Sequence, residues 1–176
     1  MQRYTPQNLR TPGPTPIPDD IVEAMTNPMI NHRGPEFDTL INKATEQLKQ
    51  VFMTKNDLFI LTASGTGSLE AAIVNTLSPG DRVIAATAGA FGDRFVDMVE
   101  AYGADVKRMD FEWGGPMDPG AIRKALQAEP NIKAVLVTHN ETSTGVTHPV
   151  EEIAKVVKGE FDKLLLVDAV SSLGCI

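Results

Sequence analysis

The chain has 176 residues, of which 42% are hydrophobic and 22% charged. That suits one globular domain or a large part of one, and excludes disordered and collagen-like chains. A formal net charge of −7 disfavours nucleic acid and anionic membrane as partners, since both need a basic surface; one cysteine, Cys175, and scattered His32, His139 and His148 predict neither a disulfide framework nor a metal site.

No apolar run approaches the length of a membrane span, and Met1–Gln2–Arg3–Tyr4–Thr5–Pro6 lacks the apolar segment of a secretory signal, so a cytoplasmic location is expected. The opening stretch is broken by proline as far as Pro18 and predicts an extended arm over 1–18, followed by one large domain over 19–176. Pro18, Asp19 and Asp20 suit a helix start, with a short helix through about Met25. From Pro35, the residues Phe37, Leu40, Ile41, Ala44, Leu48, Val51 and Phe52 follow the i, i+3, i+4, i+7 spacing of an amphipathic helix. Short apolar runs then predict strands near Leu58–Thr62, Arg82–Ala86, Asp105–Met109, Ala134–Thr138 and Lys163–Val167. Helices are expected between them near Ser68–Leu77, Gly92–Tyr102, Pro119–Gln127 and Val150–Val157, with Asp118 as an N-cap. Such alternation predicts an α/β fold, a mostly parallel sheet with helices on both faces.

Several predicted strands end in small or polar loops. Ser64–Gly65–Thr66–Gly67–Ser68 precedes a helix, where backbone N–H groups, hydroxyls and the helix dipole suit an anion such as phosphate. The plainer reading is a simple turn. It is no P-loop, because no Lys–Ser or Lys–Thr follows, and Glu70 stands where a dinucleotide fingerprint needs its third glycine. In Gly89–Ala90–Phe91–Gly92, Phe91 is either a core aromatic or a platform for a planar ring. His139–Asn140–Glu141–Thr142–Ser143–Thr144–Gly145 is dense in polar groups, as loops often are. Leu164–Leu165–Leu166–Val167–Asp168 is a hydrophobic strand ending in an acid, at the edge where open α/β sheets bind ligands. Its plain alternative is a turn cap or a partner for a lysine. If these loops converge, they suit a phosphate, a flat ring and a ring cation together, and pyridoxal phosphate has all three parts.

At these residues the chain resembles the class V, fold type I pyridoxal-phosphate aminotransferases, in particular the alanine–glyoxylate, serine–pyruvate and serine–glyoxylate group. The resemblance is carried by Thr11–Pro12–Gly13–Pro14–Thr15, Asn31–His32–Arg33–Gly34–Pro35–Glu36–Phe37, the Ser64–Ala72 segment, His139–Gly145 and Val167–Ser172. It implies that Ser64, Gly65 and Thr66 bind the cofactor phosphate, that Phe91 stacks on the pyridine ring, that Thr142 contacts the cofactor near its ring oxygen, and that Asp168 pairs with the ring nitrogen. A related branch, the cysteine desulfurases, usually has histidine at the stacking position, so Phe91 points to an aminotransferase.

The same resemblance implies pyridoxal 5'-phosphate as cofactor and transfer of an amino group between alanine or serine and glyoxylate or pyruvate. It implies a homodimer, with the arm, His32 and Arg33 at the contact. The Schiff-base lysine of the family lies beyond the acid, on a segment absent from these 176 residues, as does the substrate-binding C-terminal domain. Lys158 and Lys163 precede Asp168 and match neither role. The chain is thus expected to be an incomplete large domain with no catalytic residue of its own and no turnover alone. The alternative is a non-catalytic or complementing module that assembles with a second, C-terminal polypeptide carrying the lysine; a nucleotide-binding oxidoreductase fits the sheet but lacks the glycine fingerprint.

Overall fold

The computed structural model describes residues 9–176; residues 1–8 of the expected arm lie outside the described residues. Two compact units, Met1–Ile60 and Leu61–Ile176, divide the chain. In the first, residues 9–18 form neither helix nor strand. Helix α1 (Asp19–Ala24) opens on the carbonyl of Pro18, with Asp19 and Asp20 in the first turn. Helix α2 (Pro35–Val51) has Pro35 in its first turn, where a missing N–H costs nothing, and Glu36 and Asp38 beside the positive dipole end. Its predicted stripe is present, but Leu40 and Val51 are exposed and no residue of α2 is fully buried.

The expected strand at Leu58–Thr62 is absent. A run of apolar residues gains strand geometry only where a neighbour's backbone pairs with it, and among the described residues none does. Phe59 is 81% exposed, so this run behaves as apolar surface rather than core.

The second unit carries α3 (Gly65–Thr76), β1 (Arg82–Thr87), α4 (Ala90–Ala101), β2 (Asp105–Asp110), α5 (Pro119–Ala128), β3 (Ala134–Thr138), the short β4 (Asn140–Glu141) and β5 (Val146–Thr147), α6 (Val150–Ala154) and β6 (Leu164–Asp168). The predicted helix at Val150–Val157 divides into α6 and a π-helical turn, Lys155–Glu160. Strands β2, β1, β3 and β6 form a parallel sheet in that order, while β4 and β5 make a small antiparallel ribbon. The chain leaves β1 towards β2 on one side, then returns to β3 on the other. That reversal opens a crevice beyond the strand ends of β1 and β3.

Two apolar layers fix the sheet between helices. On one face Val83, Ala85, Ala134 and Leu136 pack with Ile73 of α3 and Phe95, Val96 and Val99 of α4. On the other, Ile84, Val135 and Val137 pack with Ile122 and Leu126 of α5, Ile153 of α6, and Val156 and Val157. The central strands β1 and β3 are covered on both sides, which is why they read as continuous apolar runs rather than alternating ones. At the β2 edge, Arg82 pairs with Asp105 and Glu129, and Lys107 with Glu129, a charged border that discourages further strand pairing. Among the described residues no helix is long and apolar enough to cross a membrane, and no group of His, Cys, Asp and Glu is placed to hold a metal ion.

Candidate functional site

The strand ends of β1, β3 and β6 present polar side chains to one place. Thr138 is in register with Asp168, two residues beyond the pair Leu136 and Leu166. Both leucines pack on the α3 and α4 face, so the two-residue period of a strand turns Thr138 and Asp168 to that same face. Thr87, two residues after Ala85, faces it as well, and its hydroxyl donates to Asp93 Oδ1 at 2.7 Å.

Asp168 is 5% exposed. Its Oδ1 accepts the Val170 N–H at 3.0 Å, and its carbonyl accepts the His139 N–H at 2.8 Å. No lysine, arginine or histidine pairs with its carboxylate among the described residues. A buried carboxylate is costly without a cation or a full set of donors, and Asp168 has one backbone donor.

Helix α3 begins three residues earlier than the sequence suggests, which places Ser64 at its N-cap and Gly65 and Thr66 in its first turn. Ser64 Oγ accepts the Gly67 N–H at 3.3 Å, and the first helical bond runs from Ser68 N–H to Ser64 O at 3.1 Å. The N–H groups of Gly65 and Thr66 therefore precede the helical ladder and point out of its positive end. Gly65 lies so close to Val170 that an added Cβ would meet Val170 Cγ2 at 2.9 Å. The anion-suited turn thus abuts the segment that follows Asp168.

Phe91 sits in the first turn of α4, half-buried, with Arg94 Cζ 5.3 Å from its ring centroid. Thr142 Oγ1 donates to Ser171 Oγ at 3.0 Å, and Ser171 Oγ donates to the Asn140 carbonyl at 3.1 Å. The loop bearing Thr142 is thereby tied to the turn after Asp168. Gly65 is linked to Asp168 through Val170, Thr142 to the turn after Asp168 through Ser171, and Phe91 to the Thr142 loop through Glu141, so these residues are joined through intermediaries rather than by side-chain hydrogen bonds to one another.

One intermediary has no role in the sequence reading. Glu141 is fully buried and accepts the N–H groups of Phe91 at 3.2 Å, Gly92 at 3.0 Å and Ser143 at 3.0 Å, with the Ser143 hydroxyl at 2.6 Å. Burial pushes its carboxyl up, but the donors from Ser143, Gly92 and Phe91 outweigh burial and hold it below the usual range. The signal available in the sequence is indirect: Gly89 has no capping side chain, so the helix start after it needs an acceptor from elsewhere.

A family model for the aminotransferase class-V domain matches residues 8–176. The chain belongs to the class-V aminotransferases. It is 45% identical to an uncharacterised aminotransferase of Methanocaldococcus jannaschii over 94% of this chain and 43% of that protein. It is 43% identical to a serine–glyoxylate aminotransferase of Methylorubrum extorquens, over 95% of this chain and 42% of that one. Among solved structures, an alanine–glyoxylate aminotransferase from a Nostoc species superposes with a TM-score of 0.87 at 35% identity, covering 98% of this chain and 47% of that one. The chain therefore spans less than half the length of these relatives.

Class-V aminotransferases use pyridoxal phosphate, and the residues at the crevice fit that group. The open end of α3 with the Ser64 and Thr66 hydroxyls suits its phosphate. The unpaired, buried Asp168 calls for a cation of the kind a protonated pyridine provides.

Proposed function

We propose that this chain carries the cofactor-binding part of an aminotransferase that moves an amino group between a small amino acid, alanine or serine, and a small 2-oxo acid, glyoxylate or pyruvate. The observation that carries the reading is Asp168, a buried acid without a cationic partner, beside the open N-terminus of α3. Glyoxylate is supported by the similarity to the Methylorubrum serine–glyoxylate and Nostoc alanine–glyoxylate aminotransferases.

When bound, pyridoxal phosphate supplies an electron sink that lowers the cost of removing the alpha proton of an amino acid. Asp168 holds a proton on the pyridine nitrogen, which keeps that sink effective. Ser64, Gly65 and Thr66 bind the phosphate through the first N–H groups of α3 and their hydroxyls. Phe91 would stack on the pyridine ring, and Thr142, whose hydroxyl is tied to Ser171, would contact the cofactor near its ring oxygen.

In this reading residues 19–176 form the cofactor domain, 1–18 the arm, and the proton-transferring lysine comes from sequence outside these 176 residues. A homodimer in the cytoplasm is the proposed setting. The half-length match equally suits a module that completes its site with a complementary C-terminal polypeptide.

The test is cofactor titration of the wild type and Asp168→Asn, followed by visible absorbance and circular dichroism. Asparagine keeps an acceptor for the Val170 N–H and loses the charge. Losing a charge-assisted bond of about 1.5–3 kcal/mol predicts about ten- to a hundredfold weaker binding. Wild-type protein that takes up no pyridoxal phosphate, or an Asp168→Asn variant that binds it equally, overturns the reading.

A further inference from the structure

Helix α4 starts without a capping side chain of its own. Its N-cap is Gly89, and the exposed donors of its first turn are taken by groups about fifty residues downstream: Ala90 N–H by Ser143 Oγ at 3.0 Å, and Phe91 and Gly92 N–H by the Glu141 carboxylate. The fit leaves no slack. A Cβ on Gly89 would lie 2.5 Å from Glu141 Cγ and Cδ and 2.6 Å from Ser143 Oγ, although the φ of 168° at Gly89 is open to any residue. Gly89 is thus glycine for space, and the space is filled by Glu141.

Glu141 is also the residue before Thr142, and the same strand anchors Ser171 through Asn140. One carboxylate therefore fixes the turn that carries Phe91 to the loop that carries Thr142. No lysine or arginine pairs with it among the described residues, so its hold on that turn comes from oriented N–H and hydroxyl donors and the dipole of α4.

We propose that Glu141 is a positioning residue: its buried carboxylate sets the first turn of α4, and through it the ring of Phe91, against the cofactor, in register with the hydroxyl of Thr142. The inference rests on the cofactor reading above and adds a residue to it. A group that acts through Phe91 has a ceiling. Its loss costs no more than loss of the Phe91 ring, which for an offset-stacked aromatic is about three- to tenfold in affinity. Glutamine at 141 is nearly isosteric but carries an NH2 where one carboxylate oxygen was. That NH2 must face either the Phe91 and Gly92 N–H groups or the Ser143 N–H, so the hold between the α4 turn and the Ser143 loop is broken at one end whichever way the amide lies.

A double-mutant cycle decides the matter, with pyridoxal-phosphate affinity and the visible circular dichroism of the bound cofactor as readouts. The wild type, Glu141→Gln, Phe91→Ala and the double variant are compared. The expected result is about three- to tenfold weaker binding and a reduced dichroic band in Glu141→Gln, with little further loss when it is added to Phe91→Ala. Equal loss in both backgrounds, or lowered thermal stability with unchanged affinity and dichroism, overturns the proposal and leaves Glu141 as a helix cap. Ser143→Ala keeps the carboxylate but removes the hydroxyl between it and Ala90; it serves if Glu141→Gln does not fold, with a smaller loss in the same direction expected and an unchanged affinity and dichroism overturning the proposal. Wild-type protein that binds no cofactor overturns the underlying cofactor reading instead, so the two failures are distinct.

Discussion

Asp168 and Glu141 are both buried carboxylates at one sheet edge, and their surroundings assign them different work. Glu141 is saturated by amide and hydroxyl donors, so it needs no ligand; Asp168 has the single Val170 N–H and retains capacity for a cation. The glycines divide in the same way. A Cβ at Gly92 would meet Thr87 Oγ1 at 2.6 Å, Cβ at 2.9 Å and Cα at 3.0 Å, and strand backbone cannot move aside as a flexible side chain can. Gly159, in the π-helical turn, has nothing within 4 Å of an added Cβ. Gly92→Ala is therefore expected to cost about 1–3 kcal/mol through overpacking. Gly159→Ala should gain about 0.5 kcal/mol, by restricting the unfolded chain. Thermal unfolding followed by far-ultraviolet circular dichroism measures both; a Gly92→Ala protein as stable as the wild type would show that α4 is not seated on β1 as closely as described.

Two N-caps on opposite faces of the sheet separate stability from binding. Ser64 caps α3 at the crevice, and Asp118 caps α5 through Gly120 N–H at 2.7 Å on the other face. Removing either hydrogen-bonding side chain as alanine costs about 1 kcal/mol, a fall of about 2–4 °C in Tm for a chain of this size. Only Ser64→Ala should also weaken pyridoxal phosphate, because only that cap offers its hydroxyl to the crevice; equal affinities in the two variants would remove Ser64 from the site. Asp118 was legible because an acid before proline at a helix start is a local signal, and the central strands were legible because burial on both faces writes itself as an unbroken apolar run. The run at Leu58–Thr62 misled because the same composition becomes a strand only with a partner. Glu141 escaped because its donors at Phe91 and Gly92 are 50 and 49 residues away, and no local spacing encodes that distance.

Over the whole molecule, the pH dependence of stability should show two separate windows. Asp81, Glu129, Glu151 and Glu160 are held below their ordinary range by hydrogen bonds from Lys133, Lys107, Lys155 and Arg123 respectively, and Glu141 by its own donors. Their stabilisation is present above the unfolded carboxylate values near 4 and is lost as pH falls through the lower folded values. His148 adds a window at higher pH. It is buried at the start of the segment leading to α6, and its Nδ1 accepts the Met117 N–H at 3.2 Å, which requires the neutral ring with its proton on Nε2. Burial pushes its imidazole below the ordinary 6.5; the Glu141 charge opposes that shift and His139 adds to it, and the net direction is down. A depressed folded value means that the unfolded chain binds the proton first. Stability is therefore full above about pH 6.5 and falls as pH drops from there towards the folded value, before the carboxylates contribute. Glutamine can keep an acceptor for the Met117 N–H without titrating, so His148→Gln should flatten the decline between neutral pH and the carboxylate window while leaving the acid limb unchanged. Urea unfolding at intervals across that range measures it, and a wild type whose stability is flat from pH 7.5 to about 5 would show that His148 is not held neutral by the fold.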